Sequence, residues 1–365
     1  MNLNYEVSAE HAPMSAISEL PVHEWAERDM LMESTSDPRA YERYWFTCQD
    51  RTGDLLVVTG FALYPNLGTF EAFSIVNLRG QHTTVRAHRR LTSNRMDMHA
   101  GPIDFELVEA FKDWHITLDA NDYGIEYDLH WYDTKRAVRQ PAFLGGYETF
   151  GQVAGFVRVG SEEFTITREA YSGSRDHHWG VRDGVGGRGH SVRQDGMSTA
   201  PSGQWVEFGD WSVWLNRVLY NLGDPRRGTG HIVKQENRLR FDPETHLFTG
   251  GIVANTLDSG EVKELHFRRL GSQIGFLRCG MYGGREGGTP VGDIWHGVYV
   301  GDDVVSGETY DVTQPAVQIE LAGGANHHCE VTCDGETTTG LFENHDPMTW
   351  ELCRDGAPGY SLLEE

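Results

Sequence analysis

The chain is predicted to be all-β, built as two antiparallel barrels or strongly curved sheets in tandem. Three observations lead there. Apolar and polar residues alternate with a period of two through most of the sequence. The alternating runs are short and parted by Gly, Asp, Asn and Pro. Helical stripes are nearly absent, VHEWAERDMLM at 22–32 being the best and a short one. At 365 residues the chain is long for one small domain and has apolar material for two cores.

In chain order, YERYWFTC, DLLVVTGFALY, GTFEAFSIVNL and HTTVRAHRRL read as the first strands. IDFELVEAF then puts Ile103, Phe105 and Leu107 on one face, DWHITLDA does the same with Trp114, Ile116 and Leu118, and GIEYDLHWYD with Ile125, Tyr127, Leu129 and Trp131. Turn signals at Lys112-Asp113 and Asn121-Asp122 join these three into an antiparallel meander. Glu126, Asp128 and His130 occupy the opposite face, which is either a polar lumen or solvent, with solvent the commoner case. GQVAGFVRV and EEFTITREA follow, linked by Gly160-Ser161 as a hairpin.

The second half repeats the habit in WVEFGDWSVWLNRVLYNL, HIVKQENRLRF, HLFTGGIVANT, EVKELHFRRL, GFLRCGMYG, IWHGVYVG, PAVQIELAG, HHCEVTCDG and ETTTGLFEN. The expected organisation is an N-terminal extension (1–22), a first β-domain (23–183), a Gly/Ser-rich connection (184–203) and a second β-domain (204–365).

Charge excludes several functions. Against 31 Lys and Arg stand 54 Asp and Glu, a formal net charge of −23. Such a surface repels a phosphate backbone and an anionic membrane, so no nucleic-acid partner is expected. No run is long enough for a membrane span, and the N-terminus has neither a basic leader nor an apolar core. Five cysteines in no framework spacing suggest reduced thiols, and a cytoplasmic protein is expected.

Cofactor motifs fail on context. GVGGRG, 184–189, matches G-x-G-x-x-G but is not followed by a helix-forming sequence. His327, Cys329 and Cys333 share a strand face without a zinc spacing, and a buried cysteine pair explains them more simply. No cofactor and no metal are expected.

The densest chemistry is YSGSRDHHWGVRD. On a strand, alternation sends Arg175, His177 and Trp179 to one side and Asp176, His178 and Gly180 to the other. From pattern alone this is either an Arg–Asp network with a tryptophan plug sealing a domain junction, or a site.

The string RDHHWGVR resembles the (R)DHSWG(x)R signature of a family that includes carotenoid hydratases (hydroxyneurosporene synthases), kievitone hydratase-like enzymes and AttH-type proteins, with tocopherol cyclases more distant. YETFGQVAGFVRVGSEEFTI and HLFTGGIVAN add to the likeness. His178 departs from it, standing where the family often has a small hydroxyl residue. The resemblance implies two lipocalin-like (calycin) β-barrel domains. It also implies a hydratase, related lyase or cyclase that protonates an isoprenoid or prenylated substrate in a pocket near the domain interface. A non-catalytic carrier of a hydrophobic small molecule is the alternative, and a homodimer is left open.

Protonating an alkene needs a strong acid beside an apolar ligand, such as a carboxylic acid kept neutral by desolvation. Asp176 is the first candidate. If an arginine such as Arg175 or Arg182 contacts it, Asp176 instead orients a histidine, and His177 or His178 is the acid. Aromatic faces would stabilise the cation, with Trp179, Trp211, Trp214, Tyr282 and Trp295 as candidates. Glu148, Glu71, Asp293 and His296 are candidate bases for water capture.

Overall fold

The computed structural model describes residues 35–135, 137–139, 145–182, 184–187, 202–215, 217–220, 229–279 and 296–364. The helical candidate at 22–32 lies outside them, as does most of the Gly/Ser-rich connection. Among the described residues the chain is mostly β, in two sheets, and no helix is long and apolar enough to cross a membrane.

The first sheet takes β1 (Ala40–Asp50), β2 (Leu55–Tyr64), β3 (Thr69–Leu78), β4 (Gln81–Arg90), β5 (Ile103–Glu109), β6 (Asp113–Leu118), β7 (Ile125–Asp133), β8 (Val138–Arg139), β9 (Gly145–Val159), β10 (Glu162–Ile166) and β11 (Tyr171–Val181). The second is built from β12 (Ser202–Glu207), β13 (Trp211–Trp214), β14 (Arg217–Tyr220), β15 (Thr229–Phe241), β16 (Phe248–Leu257) and β17 (Val262–Phe276). After them come β18 (Val304–Asp311), α1 (Pro315–Leu321), β19 (Gly324–Cys333), β20 (Glu336–His345), α2 (Asp346–Arg354) and β21 (Tyr360–Leu362).

The second sheet runs β14-β13-β12-β20-β19-β17-β16-β15, and β14 pairs back onto β15 through Arg217–His231, Val218–Gly230 and Leu219–Thr229. It is a closed eight-stranded barrel, with β21 added outside on β15. Val213, Leu239, Phe248, Val253, Leu265, Phe267, Val331 and Phe342 fill it.

The first sheet runs β18-β4-β3-β2-β1-β11-β9-β7-β6-β5 and stays open. It is nonetheless strongly curled. Phe105 of β5 lies 4.8 Å from Phe61 of β2, ring to ring, although six places separate those strands. The alternating set Ile103, Phe105, Trp114, Ile116, Leu118, Ile125, Tyr127, Leu129 and Trp131 lines this hollow and fills it together with Tyr44, Phe46 and Phe70. Glu126, Asp128 and His130 are half-buried on the outer face, so they do not line a lumen.

Several segments differ from the sequence reading. PAVQIELAG, expected as a strand, forms α1: Pro315 sits in the first turn, where its fixed φ suits a helix, and Gln318 and Leu321 are buried at i, i+3 spacing. EVKELHFRRL and the start of GFLRCGMYG, read as two strands, are joined in one strand, β17, which ends at Phe276 and has a register shift between Arg269 and Ile274. Gly271 at φ +57° provides the left-handed residue of that bulge. The last difference concerns β18. The chain split places residues 304–311 with the second domain, but they pair along β4 from Val304–His88 to Asp311–Gln81 and extend the first sheet.

Candidate acid–base site between the sheets

β11 lies between β1 and β9, pairing Arg43 with His178, Trp45 with Asp176, and Asp176 with Glu148. The strand is buried on both faces, because its inner face meets the filled hollow and its outer face meets the second barrel. Alternation therefore divides the dense motif between two environments.

On the inner face Arg175 is fully enclosed. Its Nε and Nη2 donate to Asp133 Oδ1 and Oδ2 at 2.9 and 2.6 Å, and Trp131 and Tyr147 face the guanidinium at 5.4 and 5.5 Å. His177 Nε2 lies 2.8 Å from Glu42 Oε1, its ring stacks on Tyr44 at 3.9 Å, and Trp179 tilts against it at 4.8 Å. This half of the motif is a buried charge network packed in aromatics, and Trp179 faces away from Asp176.

On the outer face Arg43 Nη2 donates to Asp176 Oδ2 at 2.7 Å. His178 Nδ1 is 3.6 Å from that same oxygen, and His178 Nε2 is 3.4 Å from Glu148 Oε1. Trp205 Nε1, from the second barrel, donates to Glu148 Oε2 at 2.8 Å. Glu148, Asp176 and His178 are 1%, 4% and 7% exposed; among the described residues Asp176 Oδ1 meets no hydrogen-bond partner, and Glu148 Oε1 and His178 Nε2 face each other.

Burial raises the pKa of Glu148, His178 and Trp205 restrain that rise, and Asp176 adds to it. Glu343, half-buried on β20, is pushed up to about 7, first by burial and, against the pull of Arg43, by the carboxylates of Asp176 and Glu148. For Arg43, burial works to lower the pKa, but Asp176 overrides it and the guanidinium is held firmly charged. Arg182, just past β11, has its pKa lowered by burial and by Arg43.

The same face continues across the sheet. Cross-strand pairing sets His88, Glu71, Ala62, Arg43 and His178 in one row from β4 to β11. Glu71 and His178 are three strand spacings apart, roughly 14 Å. Glu71 Oε1 accepts from the Tyr64 hydroxyl and lies 2.5 Å from His296 Nδ1. Burial pushes Glu71 upward in pKa, but His296, His88 and Tyr64 outweigh it and hold it below the ordinary value.

Of the sequence candidates, the fold thus gathers Asp176, His178 and Glu148 at one end of this row and Glu71 and His296 at the other. Trp214 joins Trp45, Phe150, Trp205 and Leu341 in the apolar cluster between the sheets. Trp211 instead stacks on Phe208 at 4.2 Å inside the second barrel's core. Tyr282, Asp293 and Trp295 lie outside the described residues. Arg43, Glu343 and Trp205 were not anticipated, although a charge within a strand as apolar as YERYWFTC or TTGLFEN is a signal.

A cleft of about 520 Å³ also opens between the sheets, lined by groups such as Arg51, Lys135, Gln152, Glu207 and Glu336. It is polar rather than apolar, and neither Asp176 nor His178 lines it.

The ligand atoms of Glu148, Asp176 and His178 lie within 4.8 Å of one another, close enough to hold a metal ion. Arg43 already provides Asp176 with a cation, an arrangement that suits proton handling better than a second positive charge.

Residues 14–209, more than half of the chain, match the family described as "Family of unknown function (DUF8625)". No curated protein matches. Among solved structures, kievitone hydratase from Nectria haematococca is similar at 10% identity and a TM-score of 0.45, over 86% of this chain and 92% of that one. CghA is similar at 12% identity and 0.45, over 84% and 88%. CghA with Sch210972 is similar at 11% identity and 0.41, over 84% and 87%.

Proposed function

We propose that this chain, which belongs to the DUF8625 family of unknown function, is an acid–base enzyme. It acts as a hydratase, related lyase or cyclase that protonates a carbon–carbon double bond of a hydrophobic, isoprenoid or prenylated substrate. The observation that carries the reading is Glu148. It is a carboxyl buried between two sheets, raised in pKa by desolvation, with a histidine nitrogen 3.4 Å from Oε1. The resemblance of RDHHWGVR to the hydratase signature supports the reaction class.

The Arg43–Asp176 ion pair supports the orienting role that the sequence left open for Asp176. Asp176 takes the orienting part, its Oδ2 3.6 Å from His178 Nδ1, and Glu148, nominated from the sequence as a base, takes the acid's part in place of His177 or His178. Glu148 gives its proton to one alkene carbon, and the π electrons form the new C–H bond. The neighbouring carbon becomes a tertiary cation, with Trp45, Trp205 and Phe150 as the nearby aromatic faces. Water adds its oxygen to that carbon and loses a proton to His178 Nε2. His178 returns the proton to the Glu148 carboxylate, so alkene plus water gives alcohol and the site is restored. An internal hydroxyl in place of water makes the same cycle a cyclisation.

The test is to incubate the purified chain with prenylated phenols and short terpenoids and to seek a gain of one water or an isomeric product. Glu148→Gln should abolish turnover while retaining ligand binding. A broad panel without turnover by a correctly folded chain would overturn the reading.

A further inference from the structure

We infer that the outer face of β6 and β7 carries a binding site for one borderline divalent transition metal, of the Zn²⁺ class, held by His115, His130 and Asp128. This site lies on the far side of the meander from the filled hollow and does not depend on the acid–base reading.

His115 and His130 are direct cross-strand partners, so their side chains leave the sheet side by side. Their rings stack with centroids 4.6 Å apart and 12° between planes. Asp128 Oδ1 lies 2.9 Å from His115 Nε2. Two ligands bound at about 2.1 Å in a tetrahedral shell are roughly 3.4 Å apart, so a shift of about half an ångström turns this contact into a shared coordination edge. One ligand atom from each of the three residues falls within 4.8 Å of the others.

The surrounding carboxylates match what metal-binding imidazoles need. Asp113 Oδ1 is 3.1 Å from His130 Nδ1, which leaves Nε2 for the ion, and Glu106 Oε2 is 3.6 Å from His115 Nδ1. A carboxylate on the far ring nitrogen fixes the tautomer and raises ligand basicity. Two imidazoles with one carboxylate suit Zn²⁺, Ni²⁺ or Cu²⁺ better than Mg²⁺ or Ca²⁺, which prefer oxygen throughout. All three side chains are partly exposed, so the ion reaches them from solvent; a turn of one imidazole out of the stack aims both at it, and water completes its shell.

Calorimetric titration of Zn²⁺ into the full chain tests this, with His115→Ala and His130→Ala as partly exposed variants that keep the fold. One ion should bind, and each variant should weaken it by at least roughly tenfold at unchanged melting temperature. His266→Ala, exposed on the second barrel, and His178→Asn, in the buried cluster, should leave the affinity unchanged. Absence of binding, binding indifferent to His115 and His130, or binding lost with His178 would each overturn the assignment.

Discussion

Arg43 and Asp176, on neighbouring strands of the first sheet, form an ion pair of 2.7 Å, with side chains 20% and 5% exposed. The pair gives the motif aspartate a dedicated counter-ion. Removing the cation alone leaves a buried charge uncompensated. Arg43→Met should therefore cost about 3 kcal/mol in denaturant unfolding. The double change with Asp176→Asn should recover most of that loss. A single variant as stable as wild type would show that water already solvates Asp176.

Glu343 predicts a pH effect. Its pKa is about 7 in the folded chain against an ordinary 4.5, so the folded state holds a proton that the unfolded state has released. Its contribution to stability is full below pH 4.5, declines as pH rises toward 7 and is gone above that. His82 and His328, lowered to about 4 by burial, slope the other way over much of this range. The comparison must therefore be between variants. Relative to wild type, Glu343→Gln should gain stability as pH rises through the window, measured by unfolding across that range. A constant difference would refute the shift.

Legibility from sequence followed the physics of alternation. Period two placed Arg175, His177 and Trp179 on one face and Asp176 and His178 on the other, and the structure keeps that division because β11 is regular. The inner half is a buried charge network as one reading expected, although Arg175 pairs with Asp133 rather than Asp176 and the network packs on the first sheet's own hollow. Partners across strands were not legible. That Arg43 meets Asp176, or that Trp205 reaches Glu148 from the other barrel, depends on strand order and sheet docking, which no local pattern encodes. The misread segment at Pro315 fails for another reason. Seven residues reading P-A-V-Q-I-E-L satisfy both periods, and tertiary burial of Gln318 and Leu321 decides between them.

Gly146 fixes the position of the His178 ring. It pairs with His178 across β9 and β11 at φ +152°, and an added Cβ would sit 2.4 Å from His178 Cδ2 and 2.5 Å from His177 O. The backbone oxygen cannot yield as a flexible side chain would. Gly146→Ala should cost about 1–3 kcal/mol and displace the imidazole from Glu148. Histidine ring NMR shifts would report the displacement. An unperturbed His178 resonance would count against the packing described.

Trp205 supplies the most discriminating test of the acid. Its indole N–H donates to Glu148 Oε2 and so favours the charged carboxylate, working against the burial that raises its pKa. If Glu148 must be protonated to act, activity is present below its raised pKa and is lost as pH rises through it. Trp205→Phe keeps an aromatic ring between the sheets but removes the donor, which raises the Glu148 pKa further. The descending limb of the pH–rate profile should then move to higher pH, whereas loss of packing alone would lower activity at every pH without moving the limb. An ascending limb that moves to higher pH would instead mean that the working form of Glu148 is the carboxylate, and the acid would have to be sought at Glu343.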